Sequence, residues 1–215
     1  LLKAKEWAIG YDFYLKMDIS KFFDSIDHAI LKQMLGSRIK DKKVLNILFD
    51  IIASYQIAHG KGLPLGNLTS QYFANFYLTR FDHWIKQAKK ARFYLRYMDD
   101  MLIVGDKSML CQLRDDSRQY LNNDLKLHIK NGGQINRTDK GIGFLGSVIY
   151  PGVLKLSSSS KKRIRVRIKQ YEKKYRSKTM DALDLQERTN ALWAGLYHIN
   201  SYGWRKNLAR KCMDI

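Results

Sequence analysis

Two apolar runs, residues 93–97 and 101–104, are separated only by Met98-Asp99-Asp100. Short runs with so abrupt a polar interruption specify a β-hairpin. A hairpin this apolar has to be covered, so the fold must contain an antiparallel sheet with carboxylates at one end of it. A second strand-like run, Phe13-Tyr14-Leu15-Lys16-Met17, leads directly into another acid, Asp18. Carboxylates at the edge of a buried sheet repel one another and lose hydration. Either each stays solvated in its own turn, as aspartates in loops commonly do, or the acids converge on divalent cations that cancel the repulsion. Mg²⁺ suits the second case, because it takes one or two carboxylates and completes its shell with water and phosphate oxygens.

The remaining segments supply helices to cover such a sheet. Helical patterns occur around residues 24–35 and 41–55, and Gly60-Lys61-Gly62-Leu63-Pro64 is a breaker cluster. Tyr72, Phe73, Phe76, Tyr77, Phe81, Trp84 and Ile85 then give a long helical period over residues 68–90, and residues 107–124 read as another amphipathic helix. Short strands over 142–150 and 153–156 are expected to close the same sheet. This order predicts an α+β fold, with a mainly antiparallel sheet packed on helices, in residues 1–150. A helical domain follows in residues 151–215, the division falling at Pro151-Gly152. With 45% hydrophobic and 12% aromatic residues the chain can bury a core, which excludes a solvated, disordered polymer. No run of about 18 apolar residues is present, so no helix is expected to span a membrane. The first residues lack the apolar region and cleavage site of a signal peptide. Cys111 and Cys212 are far apart and outside any CxxC spacing, which argues against a disulfide framework or zinc site and for a reducing cytosol.

The charge is strongly one-sided, with 39 basic against 20 acidic residues and a net charge of +19. Nucleic acid is the commonest polyanion to meet it, since each phosphate neutralised releases counterions; a solubilising basic coat is the alternative. The charge concentrates at the C-terminal end, where residues 151–215 hold 16 basic and 5 acidic side chains. Ser157-Ser158-Ser159-Ser160 reads as a helix start. In that helix Ile164, Ile168, Tyr171 and Tyr175 fall on one face and Arg163, Arg167 and Lys174 on another. Glu172 is the only acid between Lys161 and Lys178. A phosphate-contacting surface is therefore favoured over an ordinary solvated face, which mixes signs. Leu192, Leu196 and Ile199 give a second helix a face to pack against the first, and Tyr202, Gly203 and Trp204 in the last helix are read as packing.

Four segments now carry a resemblance. MDISKFFDSI (17–26), GLPLGNLTSQ (62–71), YMDD (97–100) and FLG (144–146) resemble, in order and spacing, the successive palm motifs of a reverse transcriptase. YMDD by itself is a weak signal; four motifs in register are specific. The resemblance implies a palm with part of the fingers in 1–150 and a helical, basic thumb in 151–215. It also implies an internal piece of a longer chain that starts just before the first catalytic motif and lacks most of the fingers. The implied activity is that of an RNA-directed DNA polymerase, adding deoxynucleotides to a primer 3′-hydroxyl by two-metal-ion catalysis with Mg²⁺, or Mn²⁺ as a substitute. The implied partners are template RNA, a DNA or RNA primer and deoxynucleoside triphosphates, in the cytoplasm of a bacterium or from a phage gene, with no membrane involved.

Roles follow position by position. Asp18 and Asp99 would hold the two metals, with the Ile19 carbonyl as a further ligand and Asp100 completing the acidic turn. Phe23 matches the aromatic gate that clashes with a ribose 2′-hydroxyl. Gly66 and Ser70, with their neighbours Leu65 and Gln71, match the loop and helix start that pack against the incoming nucleotide and template base. Lys130 is chosen, over Lys126 and Lys140, as the general acid for pyrophosphate departure. Phe144, Leu145 and Gly146 resemble the hairpin that grips the primer end, and Arg163, Arg167 and Lys174 would track the template–primer backbone.

The second motif departs from many retroviral and group II intron enzymes, which carry Gln-Gly and Ser-Pro where this chain has Leu65-Gly66 and Ser70-Gln71. The LGNLTSQ form resembles the enzymes of diversity-generating retroelements, which copy a template RNA with frequent errors at adenines. An amide at position 65 could hydrogen-bond in the minor groove or to the sugar, and Leu65 cannot, so a polar check on pair geometry is lost. That family works with a small basic accessory protein. A group II intron-like or defence-associated bacterial enzyme, and a non-catalytic nucleic-acid-binding protein, are the alternatives; a basic structural protein explains the charge but not the four motifs.

Overall fold

The computed structural model describes residues 1–212, the side chains of Lys211 and Cys212 lying outside the description. In chain order it runs α1 (Leu2–Gly10), β1 (Phe13–Met17), α2 (Phe22–Ser25), α3 (His28–Gly36), α4 (Lys42–Ala53), α5 (Leu68–Tyr77) and α6 (Thr79–His83). It continues through β2 (Tyr94–Tyr97), β3 (Asp100–Gly105), α7 (Lys107–Leu125), β4 (Gln134–Arg137), β5 (Ile142–Phe144), β6 (Ser147–Tyr150) and β7 (Val153–Leu156) to α8 (Ser158–Arg176), α9 (Ala182–Ala194) and α10 (Tyr202–Cys212). Two compact units result among the described residues, residues 13–136 and residues 1–12 with those from 137 onward.

The first unit is built on a four-stranded sheet in the order β2-β3-β1-β4. The β2–β3 hairpin forms where the two apolar runs predict it, and β3 also pairs antiparallel with β1, Leu15 opposite Ile103 and Met17 opposite Met101. Alternation along the strands sends Leu15, Met17, Met101 and Ile103 into one core with Phe22, Leu31, Phe73, Tyr77, Phe81, Leu110 and Leu121. Aspartates start two of the covering helices: Asp27 accepts from the amides of Ala29 and Ile30, and Asp41 from those of Lys43 and Val44. The glycine-rich loop is tied down from below. The amides of Gly62 and Leu63 donate to the carbonyls of Ile26 and Phe23, each at 2.9 Å, and His28 Nε2 lies 2.7 Å from the Gly62 carbonyl.

The helical period over 68–90 is not one helix. The Thr79 hydroxyl donates to the Phe76 carbonyl at 2.6 Å where α5 ends. After α6, residues Trp84–Ala88 widen into a π turn, closed by the Lys89 amide on the Trp84 carbonyl at 3.1 Å. Trp84 still stacks on Tyr120, with ring centroids 4.5 Å apart, so the buried face persists through the breaks.

The second unit corrects two expectations. Residues 142–150 and 153–156 do not close the first sheet; they form their own antiparallel sheet in the order β5-β6-β7, and the fourth strand of the first sheet is β4. The cause is local, because Leu145 (φ 46°) and Gly146 (φ 73°) fold the run back on itself and make a separate meander. Nor does Pro151-Gly152 divide the units, since it is the turn of the β6–β7 hairpin, across which Tyr150 pairs with Val153. Helix α1, unforeseen in the sequence, packs on β6 and β7 in the same unit. Helices α8 and α10 enclose a small core of Leu156, Ile164, Ile168, Leu196 and Leu208, with Leu192 and Ile199 packed against it. Ser157 caps α8 as expected, accepting from the Ser160 amide at 3.1 Å. The apolar back of α8 is covered only in its first half, for Tyr175 is 36% exposed.

Candidate active site

One step beyond the Met17–Met101 pair, the β1–β3 register brings Asp18 across from Asp100. Tyr97 pairs with Asp100 to close the hairpin, so Met98 and Asp99 are its two-residue loop. The acids foreseen at the sheet edge thus come from two places, Asp18 from the end of β1 and Asp99 and Asp100 from the β2–β3 hairpin. Burial pushes the Asp99 carboxyl above its ordinary range, and the charges of Asp18 and Asp100 and a hydrogen bond to the Asp18 side chain raise it further. The outer two acids have lysines: Lys16 Nζ lies 3.7 Å from Asp100 Oδ1, and Lys130 Nζ lies 3.7 Å from Asp18 Oδ2. Lys16 escaped the sequence reading, although its place two residues before Asp18 on a strand puts both on one face.

The donor set suits a hard cation. Asp18 and Asp99 offer facing carboxylates. The bridge that Ile19 makes with Ile129 uses the Asp18 carbonyl, which accepts from Lys130 at 2.7 Å, and the Ser20 amide; it does not consume the Ile19 carbonyl. Among the described residues no group of three or more His, Cys, Asp or Glu forms a ready-made cage. An ion held there would take two carboxylates and draw its remaining oxygens from phosphate and water; the third acid, Asp100, pairs with Lys16. Beside the pair, Lys16, Asp18, Lys130, Asn131 and Gln134 line an open cleft of about 200 Å³. Of the three lysines weighed, Lys130 is the one on the acids; Lys126 donates to the Asn123 carbonyl, and Lys140 belongs to the other unit.

Around this pair the candidate nucleotide-contacting residues divide. Phe23 is half-buried on α2, its ring 5.7 Å from that of the buried Phe22. Gly66 (φ 93°) is exposed with open space where a side chain would stand, so its backbone conformation, not crowding, demands glycine. Leu65 is 74% exposed and Gln71 is exposed on α5. Ser70 is different: at 1% exposure it is covered by the chain itself and does not offer its hydroxyl to the open side. Helical phase, with Ser70 three residues before the buried Phe73, was the available signal.

The remaining candidates lie in the other unit. Phe144 is buried at the end of β5, and Leu145 and Gly146 make the β5–β6 turn. The turn is fastened to α8: the Gly146 carbonyl accepts from the Ser160 hydroxyl at 2.7 Å and the Ser157 amide at 3.2 Å. A Cβ at Gly146 would stand 2.7 Å from Ser160 Oγ, so glycine is needed there for space as well as conformation. Arg163, Arg167 and Lys174 are all exposed on α8.

One group near the acids was not foreseen at all. Arg96 on β2 reaches Asp82 on α6, Asn75 on α5 and the Met98 carbonyl at once. The partners on the two helices lie 14 and 21 residues away, and no local pattern announces such a cluster.

The family described as Reverse transcriptase (RNA-dependent DNA polymerase) matches residues 3–136. Protein YkfC of Escherichia coli is 25% identical, the match covering 60% of this chain and 44% of that protein. The group II intron-encoded protein LtrA of Lactococcus lactis is 28% identical over 37% of this chain and 14% of its own length. Among solved structures, telomerase from Candida tropicalis, in complex with the TWJ fragment of telomeric RNA, has the same fold with a TM-score of 0.59 at 13% identity, over 98% of this chain and 42% of that one. The chain spans less than half the length of each of these relatives.

Proposed function

The chain belongs to the reverse transcriptase family, and from that premise we propose that it adds deoxynucleotides to a primer 3′-hydroxyl on an RNA template, with Asp18 and Asp99 holding two Mg²⁺ ions. The observation that carries this reading is the facing Asp18–Asp99 pair, delivered by the end of β1 and the β2–β3 loop. Bound cations would lower the barrier to attack by the 3′-hydroxyl and neutralise the departing pyrophosphate. The chain's own part is positional. The sheet holds two repelling carboxylates in one place, and the Ile19 carbonyl adds an uncharged oxygen. Lys130, with Nζ 3.7 Å from Asp18 Oδ2, would serve as the proton donor to the leaving group. Phe23 would exclude a 2′-hydroxyl. Residues 137–215 would act as a thumb, with the β5–β6 turn at the primer end and α8 along the backbone.

Two finer readings compete. The exposed, apolar Leu65 before Gly66, with Gln71 after Ser70, supports a diversity-generating retroelement enzyme with a small basic accessory protein. The similarity to LtrA supports a group II intron-like enzyme. Primer extension on an RNA template with Mg²⁺, followed by sequencing of the product, separates them. Errors concentrated opposite template adenines are expected for the first reading and accurate copying for the second. Salt-sensitive binding with no extension by the full-length protein would leave a non-catalytic binding protein.

Neutralising Arg163, Arg167 and Lys174 together should flatten the dependence of template–primer affinity on salt. Each phosphate that is no longer neutralised takes about 0.7–0.9 from the slope of log K against log salt, so three such phosphates take about two to three. An unchanged slope would place the nucleic acid elsewhere than on α8.

A further inference from the structure

The hairpin loop that carries Asp99 is held in a conformation it would not choose. Met98 has φ 55°, the left-handed region that a side chain enters only at a cost. Its carbonyl accepts from Arg96 Nη1 at 2.9 Å, and its sulfur accepts from Asn75 Nδ2 at 3.1 Å. The Arg96 guanidinium is itself fixed. It makes a two-pronged pair with Asp82, Nε to Oδ1 at 2.8 Å and Nη2 to Oδ2, while Nη1 also donates to Asn75 Oδ1 at 3.0 Å. Asp82 is held in turn by the Tyr94 hydroxyl at 2.7 Å, and the Arg96 side chain is only 11% exposed. A forked pair sets the plane of a guanidinium, which leaves the two hydrogens of Nη1 for Asn75 Oδ1 and for the peptide between Met98 and Asp99.

We propose that Arg96, oriented by Asp82 and Asn75, is a positioning residue that clamps the Met98–Asp99 peptide and so sets where the Asp99 carboxylate stands against Asp18. The inference rests on the reading of Asp18 and Asp99 as cation ligands. An ordinary ion pair bracing α6 to β2 would also stabilise the fold, but it would have no reason to reach the Met98 carbonyl, and its loss would not be repaired at Met98.

The test compares the full-length protein with Arg96→Gln combined with Asp82→Asn, so that no buried charge is left without a partner. Mn²⁺ binding is followed by electron paramagnetic resonance, and primer extension by Mg²⁺ titration. The expected result is a cation affinity weaker by about 10- to 100-fold, with template–primer affinity unchanged. Adding Met98→Gly should recover much of the loss, since glycine takes a positive φ without a clamp. If the pair of substitutions prevents folding, Arg96→Lys replaces it; a single ammonium keeps the charge but not the fork, and the same shift is expected. Cation affinity equal to that of the parent, or a loss that Met98→Gly does not relieve, would overturn the clamp. A parent that binds Mn²⁺ but extends no primer removes the polymerase reading alone, and the Mn²⁺ titration still decides the clamp. A parent that binds no Mn²⁺ removes both.

Discussion

Asp99→Asn should abolish Mg²⁺-dependent nucleotide addition, by about a thousandfold or more, while template–primer binding stays within a few-fold. The substitution is nearly isosteric and keeps one oxygen, so it removes charge without reshaping the β2–β3 loop. Primer-extension rates and equilibrium binding measured on the same preparations check both halves, and retained activity would remove the metal assignment. Stability should move the opposite way in the cation-free protein. Burial raises the Asp99 carboxyl first, and Asp18 and Asp100 add to it. The folded state therefore holds the proton more tightly than the unfolded chain, and that contribution is lost as pH rises from the ordinary carboxylate range through the raised value. An asparagine never acquires the charge. In EDTA, the variant should accordingly melt above the parent at neutral pH, by about 2 °C at this partly exposed site, with the gap closing toward about pH 3. A gap of the same size at both pH values would mean that the carboxylates are not in conflict.

What was legible in the sequence is what neighbouring residues decide. A short apolar run located β1, the acidic interruption located the β2–β3 hairpin, and Ser157 marked the start of α8. The acids could be read as a candidate site only once four motifs stood in order, because a strand that ends in aspartate is by itself equally a solvated turn. What was not legible depends on partners distant in the chain. Residues 142–156 carry the right strand pattern, but nothing in that pattern says which sheet they join; the Leu145-Gly146 reversal and α1 decide it. Helix α1 buries only Ala4 and Ala8, too faint a stripe to be recognised. Arg96 looks like an ordinary polar residue in a strand until Asp82, Asn75 and Met98 are seen around it. Lys16 was within reach, since strand periodicity alone aligns it with Asp18. Ser70 shows the converse failure: a motif position suggests a contact, and helical phase turns the side chain inward.

Phe23→Ala should relax the choice of sugar, lowering the preference for deoxynucleotides over ribonucleotides in kcat/KM by about a hundredfold while deoxynucleotide incorporation is largely kept. The adjacent phenylalanines make this a controlled comparison. Phe22 is 3% exposed in the core, whereas Phe23 is half-buried, with its backbone carbonyl fixed by the Leu63 amide at 2.9 Å. A core aromatic and a gate predict different costs. Phe22→Ala should destabilise the fold by about 3–5 kcal/mol and leave sugar choice alone in whatever protein remains folded. Phe23→Ala should cost less stability, because less of the ring is covered, and should act on the substrate. Competition between a deoxynucleotide and its ribonucleotide in single-nucleotide primer extension reads the gate, and thermal melts read the packing. If both variants lose stability alike and neither admits ribonucleotides, Phe23 is a second core residue and the exclusion of the 2′-hydroxyl has to be sought elsewhere. A loss of discrimination confined to Phe23→Ala would place the sugar of the incoming nucleotide over α2, five residues along the chain from Asp18, and so fix the direction in which a substrate lies across the carboxylate pair.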